Sequence, residues 1–269
     1  MPKQILSGGG AFAKNRVMVS LTAVTLAVLL LVVMQAHSRP AEAVDSDNLL
    51  RPDLGMAKLR HFEIEQTSDG RKLLRFSSIV VNVGAGPFEV QGQRPDTTVS
   101  TMTTTQRIFD GAGQYLDRPT DAVMYWSGDG HNHWHLRDLE DFELIRLDNG
   151  KLVGTGAKHG FCFFDNFLYG STQDKAYPRW KSCGKQPSDL KATMGLSRGW
   201  GDAYWRSLPD QYIEITGLTS GRYRLLGTAD ADNWFLESDD SNNFTWVDLQ
   251  IKSGSVRVVQ HGPYAPPIG

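Results

Sequence analysis

The sequence predicts an all-β fold, a β-sandwich core carrying long irregular functional loops and little helix. Two observations carry the prediction. Short runs of β-branched and aromatic residues recur along the chain, divided by clusters of Gly, Asn, Asp and Pro. Apolar spacing at a helical period is poor almost everywhere. With 269 residues and 40% hydrophobic content, the chain can bury an ordinary core.

Residues 44–55 read as an extended opening segment, since Pro52 and Gly55 break any period there. Strands are expected at 58–65 and 72–83. The second draws on Leu73, Leu74, Phe76, Ile79, Val80, Val81 and Val83, and Asp69-Gly70 supplies the hairpin turn between them. Further strands are expected at 103–109, 121–126, 133–147, 211–216, 221–229 and 244–251, with Gly217 to Gly221 bracketing a short connection. Gly201 to Leu208 is the sole helical expectation, one or two turns. The stretch from Gly156 to Arg198 is expected to be a long loop that carries function.

Residues 1–43 are expected to stand outside the fold. Lys3, Lys14 and Arg16 form a basic flank, Val17 to Met34 is uncharged, and Ala41-Glu42-Ala43 offers a cleavage site, as in a secretory signal. The uncharged stretch is also long enough to cross a bilayer, so an uncleaved anchor through residues 17–34 is the alternative. Both readings put residues 44–269 outside the cytoplasm. A net charge of −2 argues against a nucleic-acid partner. In an oxidising compartment the two cysteines, Cys162 and Cys183, are expected to pair.

Three of the seven histidines fall in five residues, His131-Asn132-His133-Trp134-His135. Alternate side chains of an extended chain share a face, but a straight strand would spread the first and third by about 13 Å. A bend at Gly128-Asp129-Gly130, or a bulge in the triplet, is needed to converge them. Three imidazoles suit copper, zinc, iron or nickel, and the triplet alone does not separate copper from zinc. His159 and His261 are weaker accessory candidates. Glu237, Asp239, Asn242 and Asn243 crowd oxygen donors into seven residues, a pattern that suits Ca²⁺. Asn243-Phe244-Thr245 also reads as a glycosylation sequon, which would compete with a ligand role for Asn243.

The segments HNHWHLRDLEDFELIRL, GAKHGFCFFD, MGLSRGWGDAY, QYIEITGLTSGRYRL and ESDDSNN occur in one order between residues 131 and 243. Together with Arg51-Pro52-Asp53-Leu54 and KLLRFSSIVVNVG, they resemble the lysyl oxidase family over roughly residues 50–251. The resemblance implies a catalytic domain at 44–269 with Cu(II) on His131, His133 and His135. It further implies a lysine tyrosylquinone built from Lys158 and Tyr204, and oxidation of primary amines, peptidyl lysine or small amines, to aldehydes. Molecular oxygen would be the acceptor, with hydrogen peroxide and ammonia released. Asp53 and the carbonyl of Leu54 join the calcium ligands by the same resemblance. Asp138 and Asp141, just after the histidines, are candidates for the general base, and a solvated strand face is their bland alternative. Trp200 and Gly201 stand where animal members carry a cysteine and a tyrosine, so the substrate of those members is not carried over. Two readings compete: a zinc hydrolase on the three histidines, and a non-catalytic, calcium-binding β module for adhesion.

Overall fold

The computed structural model describes residues 46–127, 132–170 and 180–268. Residues 1–43, the Gly128–Gly130 bend and His131 lie outside the described residues. The strand Lys72–Asn82 organises what is described. Nearly every residue along it is buried, on both faces. Four antiparallel partners line it: Leu54–Met56, Arg60–Gln66, Trp200–Tyr204 and Tyr212–Glu214. The short strand Phe167–Leu168 extends this sheet beyond Trp200–Tyr204.

Two further antiparallel sheets complete the fold. One runs in the order Gly160–Phe161, Trp134–Arg137, Tyr115–Trp126, Thr101–Asp110, Phe88–Gln93 and Lys191–Leu196, with Leu49–Leu50 also on Thr101–Asp110. The other runs Leu152–Thr155, Glu140–Arg146, Gly221–Ala229, Phe244–Lys252 and Ser255–His261. Residues from all three sheets meet in one core that includes Phe76, Phe88, Trp134, Phe142, Phe161 and Tyr204. Phe76 meets Phe142 edge-on at 4.8 Å, and Phe88 meets Phe235 edge-on at 4.9 Å, geometries that favour the ring quadrupoles. The all-β expectation holds.

Several expectations are corrected. Gly201 to Leu208 is not helical. Gly201 to Tyr204 pair with Val81 to Ser78 as strand, and only a turn follows, closed by Leu208 N–H on Trp205 O at 2.9 Å. The ladder to a buried neighbour outweighs a weak local preference. The expected strand 133–147 is two, Trp134–Arg137 and Glu140–Arg146, in different sheets. Asp138 breaks it with φ of +51°, a conformation that Asp tolerates better than most residues. The expected 121–126 strand starts earlier, at Tyr115, despite Pro119. Its partner Trp134–Arg137 reaches only Met124 to Trp126, so Pro119 sits on an open edge where no donor is needed.

Phe88–Gln93, Leu152–Thr155 and Ser255–His261 are strands that local pattern did not announce. The 156–198 stretch contains the strands Gly160–Phe161, Phe167–Leu168 and Lys191–Leu196 rather than loop alone. The Asp69-Gly70 turn forms as expected, with Gly70 at φ +89° and its N–H on Thr67 O at 3.0 Å.

Cys162 and Cys183 form the expected disulfide across 21 residues, with Cα atoms 5.6 Å apart. Trp134 N–H bonds Cys183 O at 3.2 Å, so the bridge ties the later part of that stretch to the histidine strand. Replacing both cysteines with alanine should lower unfolding stability by about 3 kcal/mol on the loop-entropy account, measurable by urea unfolding monitored by near-UV circular dichroism.

Candidate active site

His133 and His135 flank Trp134 and, by strand alternation, face away from it. Trp134 is fully buried and donates Nε1–H to Gln186 O at 3.0 Å. The two imidazoles converge on the other side. Their Nε2 atoms are 2.8 Å apart and their ring centroids 4.7 Å apart. His135 pairs with Tyr125 across the ladder and meets its ring edge-on at 5.7 Å. Gly160 packs flat against this pair. A Cβ there would stand 2.4 Å from His135 Nδ1 and 2.2 Å from the Tyr125 hydroxyl. Glycine is required because the histidine ring occupies the space of a side chain.

Lys158 precedes the Gly160–Phe161 strand, which pairs with the histidine strand at Leu136 and Arg137. Tyr204 ends the Trp200–Tyr204 strand and lies opposite Ser78. These elements are distant in sequence, yet Lys158 Nζ lies 4.9 Å from the centroid of the Tyr204 ring and 5.1 Å from that of Phe161. A cavity of about 340 Å³ joins them to the histidines: His133, His135, Lys158 and Tyr204 all line it. Cys162, Phe164 and Leu208 make its walls largely apolar, with Asn166 and Asp202 as the polar exceptions.

The sequence reading missed Asp202 as a site residue. It lies two residues before Tyr204, so strand alternation puts both side chains on one face. Asn166 Nδ2 donates to Asp202 Oδ1, and Asn166 Oδ1 accepts from Ala203 N–H at 2.8 Å. Burial pushes the Asp202 carboxyl up to about 7, against the nearby Tyr204 phenol, the hydrogen bond from Asn166 and the charge of Lys158. Tyr204 is likewise pushed well above its ordinary value, by burial first and then by the charges of Asp202 and Glu140. The phenol stands next to the Asp202 carboxylate, yet neither its hydroxyl nor Asp202 Oδ2 closes a hydrogen bond of ordinary geometry.

Glu140 is the second residue missed. Its signal was the alternation Glu140, Phe142, Leu144, which assigns it to the buried face of its strand. It is fully buried, and Ser78 Oγ donates to its Oε2 at 2.7 Å. Desolvation raises its carboxyl to about 8.

Asp138 and Asp141 lie on the other side of Lys158. Asp138 Oδ1 meets His159 Nδ1 at 2.8 Å. Asp141, Glu143 and His159 line a second cavity of about 350 Å³ that also touches Lys158 but not Tyr204. Neither aspartate lines the cavity that holds the histidines. His261 is also elsewhere, on the Ser255–His261 strand. Among the described residues no three His, Cys, Asp or Glu side chains form a metal-holding group; His131, the third of the triplet, is outside them.

The oxygen-rich segment does meet the opening segment. Glu237 accepts from Leu54 N–H and, through Oε1, from Asn243 Nδ2 at 3.0 Å. Asn242 Nδ2 donates to Asp53 Oδ1 at 2.9 Å, and Ser238 Oγ to Asp53 Oδ2 at 3.0 Å. Asp239 turns to the short helix Asp240–Asn242, accepting from Ser241 N–H at 2.9 Å. The side-chain carbonyls of Asn242 and Asn243 are buried without a donor. Asn243 is itself buried and bonded through Nδ2, which closes the sequon to modification in the folded state.

Fold and site together define an all-β protein with an internal lysine–tyrosine–histidine centre. Residues 96–261, more than half of the chain, match the lysyl oxidase family model, and the chain belongs to the lysyl oxidase family. Among its relatives, protein-lysine 6-oxidase of Gallus gallus is 30% identical over 121 residues, 45% of this chain and 26% of that protein. Lysyl oxidase homolog 1 of Homo sapiens is 32% identical over 140 residues, 51% of this chain and 22% of that protein. Lysyl oxidase homolog 2 of Bos taurus is 27% identical over 179 residues, 66% of this chain and 18% of that protein. The chain thus spans about a quarter or less of these relatives' own length.

Gly160→Ala should displace the His135 and Tyr125 rings and lower unfolding stability by about 1–3 kcal/mol, the usual cost of overpacking a filled space. Urea unfolding monitored by near-UV circular dichroism checks this.

Proposed function

We propose that this protein is an exported copper amine oxidase that converts primary amines, peptidyl lysine or small amines, to aldehydes with release of hydrogen peroxide and ammonia. The observation that carries the reading is Lys158 Nζ at 4.9 Å from the Tyr204 ring, in a cavity shared with His133 and His135. The paired imidazoles fit a metal by donor type, with their Nε2 atoms facing each other at 2.8 Å. Cu(II) would sit on His131, His133 and His135. Copper supplies redox chemistry with molecular oxygen, and the lysine tyrosylquinone from Lys158 and Tyr204 supplies the electrophile for the amine.

The rest is the work of the chain's own residues. Lys158 acts as a nucleophile only when neutral, so the Nζ that stands over the Phe161 and Tyr204 rings must first lose a proton. Asp202 is better situated as the base than Asp138 or Asp141, because it lines the cavity beside Tyr204 while Asp141 lines the neighbouring one. A carboxyl raised to about 7 has the proton affinity that proton abstraction near neutral pH requires. Asn166 orients it. Phe164 and Leu208 give the cavity apolar walls.

Ca²⁺ is proposed at Asp53, Leu54, Glu237, Asp239, Asn242 and Asn243. The unmatched carbonyls of Asn242 and Asn243 fit a hard cation, which takes oxygen donors of this kind. Such an ion would pin the opening segment to the loop before Phe244. Export rests on the signal or anchor expected in residues 1–43. Among the described residues no helix is long and apolar enough to cross a membrane.

Aerated, copper-loaded protein should yield a covalently joined pair of peptides containing Lys158 and Tyr204 by mass spectrometry after disulfide reduction. It should release hydrogen peroxide with small primary amines, and Lys158→Arg should abolish both signals. Zinc in the purified protein with unlinked peptides would sink the reading. Calcium has a separate signature. Glu237 stands at about 8 rather than 4.5 when folded, so without calcium its favourable contribution is full below about 4.5 and lost as pH rises through about 8. The unfolding temperature should therefore fall over that window in chelator, and saturating Ca²⁺ should offset part of the fall. Glu237→Gln should remove the calcium-dependent part.

A further inference from the structure

The strand that ends at Tyr204 runs into a turn, and that turn carries one wall of the cavity. Trp205, Arg206, Ser207 and Pro209 are exposed, whereas Leu208 is half-buried, packs against the core and lines the cavity beside Tyr204. Two backbone bonds close the turn, Leu208 N–H on Trp205 O at 2.9 Å and Gln211 N–H on Leu208 O at 3.2 Å. The organising strand Lys72–Asn82 supplies a further hold. Arg75 Nη1 donates to Leu208 O at 2.9 Å and to Arg206 O at 3.2 Å, with Pro209 O at 3.4 Å. One guanidinium thus gathers three carbonyls of one turn.

Arg75 is itself built into place. It stands opposite Glu63 on one neighbouring strand and Tyr212 on the other. Its Nε donates to Glu65, and its guanidinium lies 5.4 Å from the centroid of the Tyr212 ring. The side chain is only 17% exposed, so most of it is shielded from water. A planar fork can hold a carboxylate and backbone carbonyls at once in fixed directions, which the point charge of a lysine does not reproduce. Two other ties reach the same turn: Arg206 N–H on Ser77 Oγ at 3.0 Å, and the Arg206 side chain on Glu63. Neither of them reaches Leu208.

We propose that Leu208 determines which amines the cavity accepts, and that Arg75 is the positioning residue that holds Leu208 in the wall. The proposal rests on the amine oxidase reading above, and it names the part of the substrate that is read: the alkyl chain behind the amine. Cys162, Phe164 and Leu208 offer that chain apolar contact, and each methylene removed from water favours binding. The first two are held by closures already described. Cys162 is fixed by its disulfide, and Phe164 adjoins Asp165, which is bonded to Ser197. Leu208 alone of the three sits on an exposed turn. Loss of the guanidinium would leave the carbonyls of Arg206 and Leu208 without that donor, and the turn would loosen.

The experiment measures peroxide release by copper-loaded, full-length protein with ethylamine and with pentylamine. In wild-type protein KM should be lower for pentylamine. Leu208→Ala should raise the pentylamine KM by roughly tenfold, the low end of what a lost apolar contact costs in an apolar pocket. Its effect on kcat and on the ethylamine KM should be smaller. Arg75→Met should act in the same direction. It should also speed amide hydrogen exchange across residues 205–211 by roughly tenfold or more, as befits loss of hydrogen bonds from a charged donor, and leave exchange in the core strands unchanged. Added to Leu208→Ala, Arg75→Met should raise KM little further, because residues that act through one contact are not additive. A merely structural role would add its full effect. Arg75→Lys, charged but without the fork, should fall between wild type and Arg75→Met, and it carries the test if Arg75→Met does not fold. An unchanged pentylamine KM in Leu208→Ala, full additivity in the double variant, or unchanged exchange across 205–211 in the Arg75 variants would overturn this inference alone. No peroxide from wild-type protein with either amine would overturn the amine oxidase reading, and this inference with it.

Discussion

The antiparallel pairing of Trp200–Tyr204 with Lys72–Asn82 is the constraint on which the site depends. Its register sets Tyr204 opposite Ser78 and Asp202 opposite Val80. Because side chains alternate, the same register turns the phenol and the Asp202 carboxyl to one face. A slip of one residue would send both to the opposite face. The organising strand tolerates no such slip, since it is buried along nearly its whole length and paired on both edges.

The rest of the site is brought to that register by closures between segments far apart in sequence. The Gly160–Phe161 strand carries Lys158 to the histidine strand, and Gly160 admits the His135 ring where any side chain would collide. Asp165 accepts from Ser197 N–H at 2.7 Å and from its hydroxyl at 2.6 Å, locking the segment after Lys158 to the one before Tyr204. The disulfide holds the same stretch from its other end. Each closure stiffens an irregular region whose backbone lacks a regular ladder, as a preorganised site requires.

The fold also concentrates acids where burial opposes their charge. Glu140 and Asp202 beside Tyr204, and Glu237 beside Asp53, are all raised by desolvation first. Isolated buried carboxylates are costly, so they persist where a proton or a cation compensates them. Two classes of compensation follow from the surroundings. Near Lys158 and Tyr204 the neighbours are an amine and a phenol. Near Leu54 and Asn243 the Glu237 carboxyl accepts from a backbone N–H and a side-chain amide, and the side-chain carbonyls of Asn242 and Asn243 are buried nearby without a donor.

Much was legible along the chain itself. The β-branched runs announced the Lys72–Asn82 strand and the Gly221–Ala229 and Phe244–Lys252 pair, and the two cysteines announced their bridge. The ordered motifs singled out His133, His135, Lys158 and Tyr204 as candidates, because residue type and local spacing survive without knowledge of the fold. Strands with weak local preference were not legible: Ser255–His261 is an exposed edge, and Trp200–Tyr204 is extended because a buried neighbour supplies its ladder. Nor was it legible which carboxylates face Tyr204. Asp138 and Asp141 are nearer the histidines in sequence, but the left-handed turn at Asp138 ends the histidine strand and starts Glu140–Arg146 in another sheet. Sequence by itself determined which kinds of groups are present and that the chain is built of strands. Only the tertiary structure decided that Glu140 and Asp202 flank Tyr204, because burial and register are set by contacts between residues far apart in the chain.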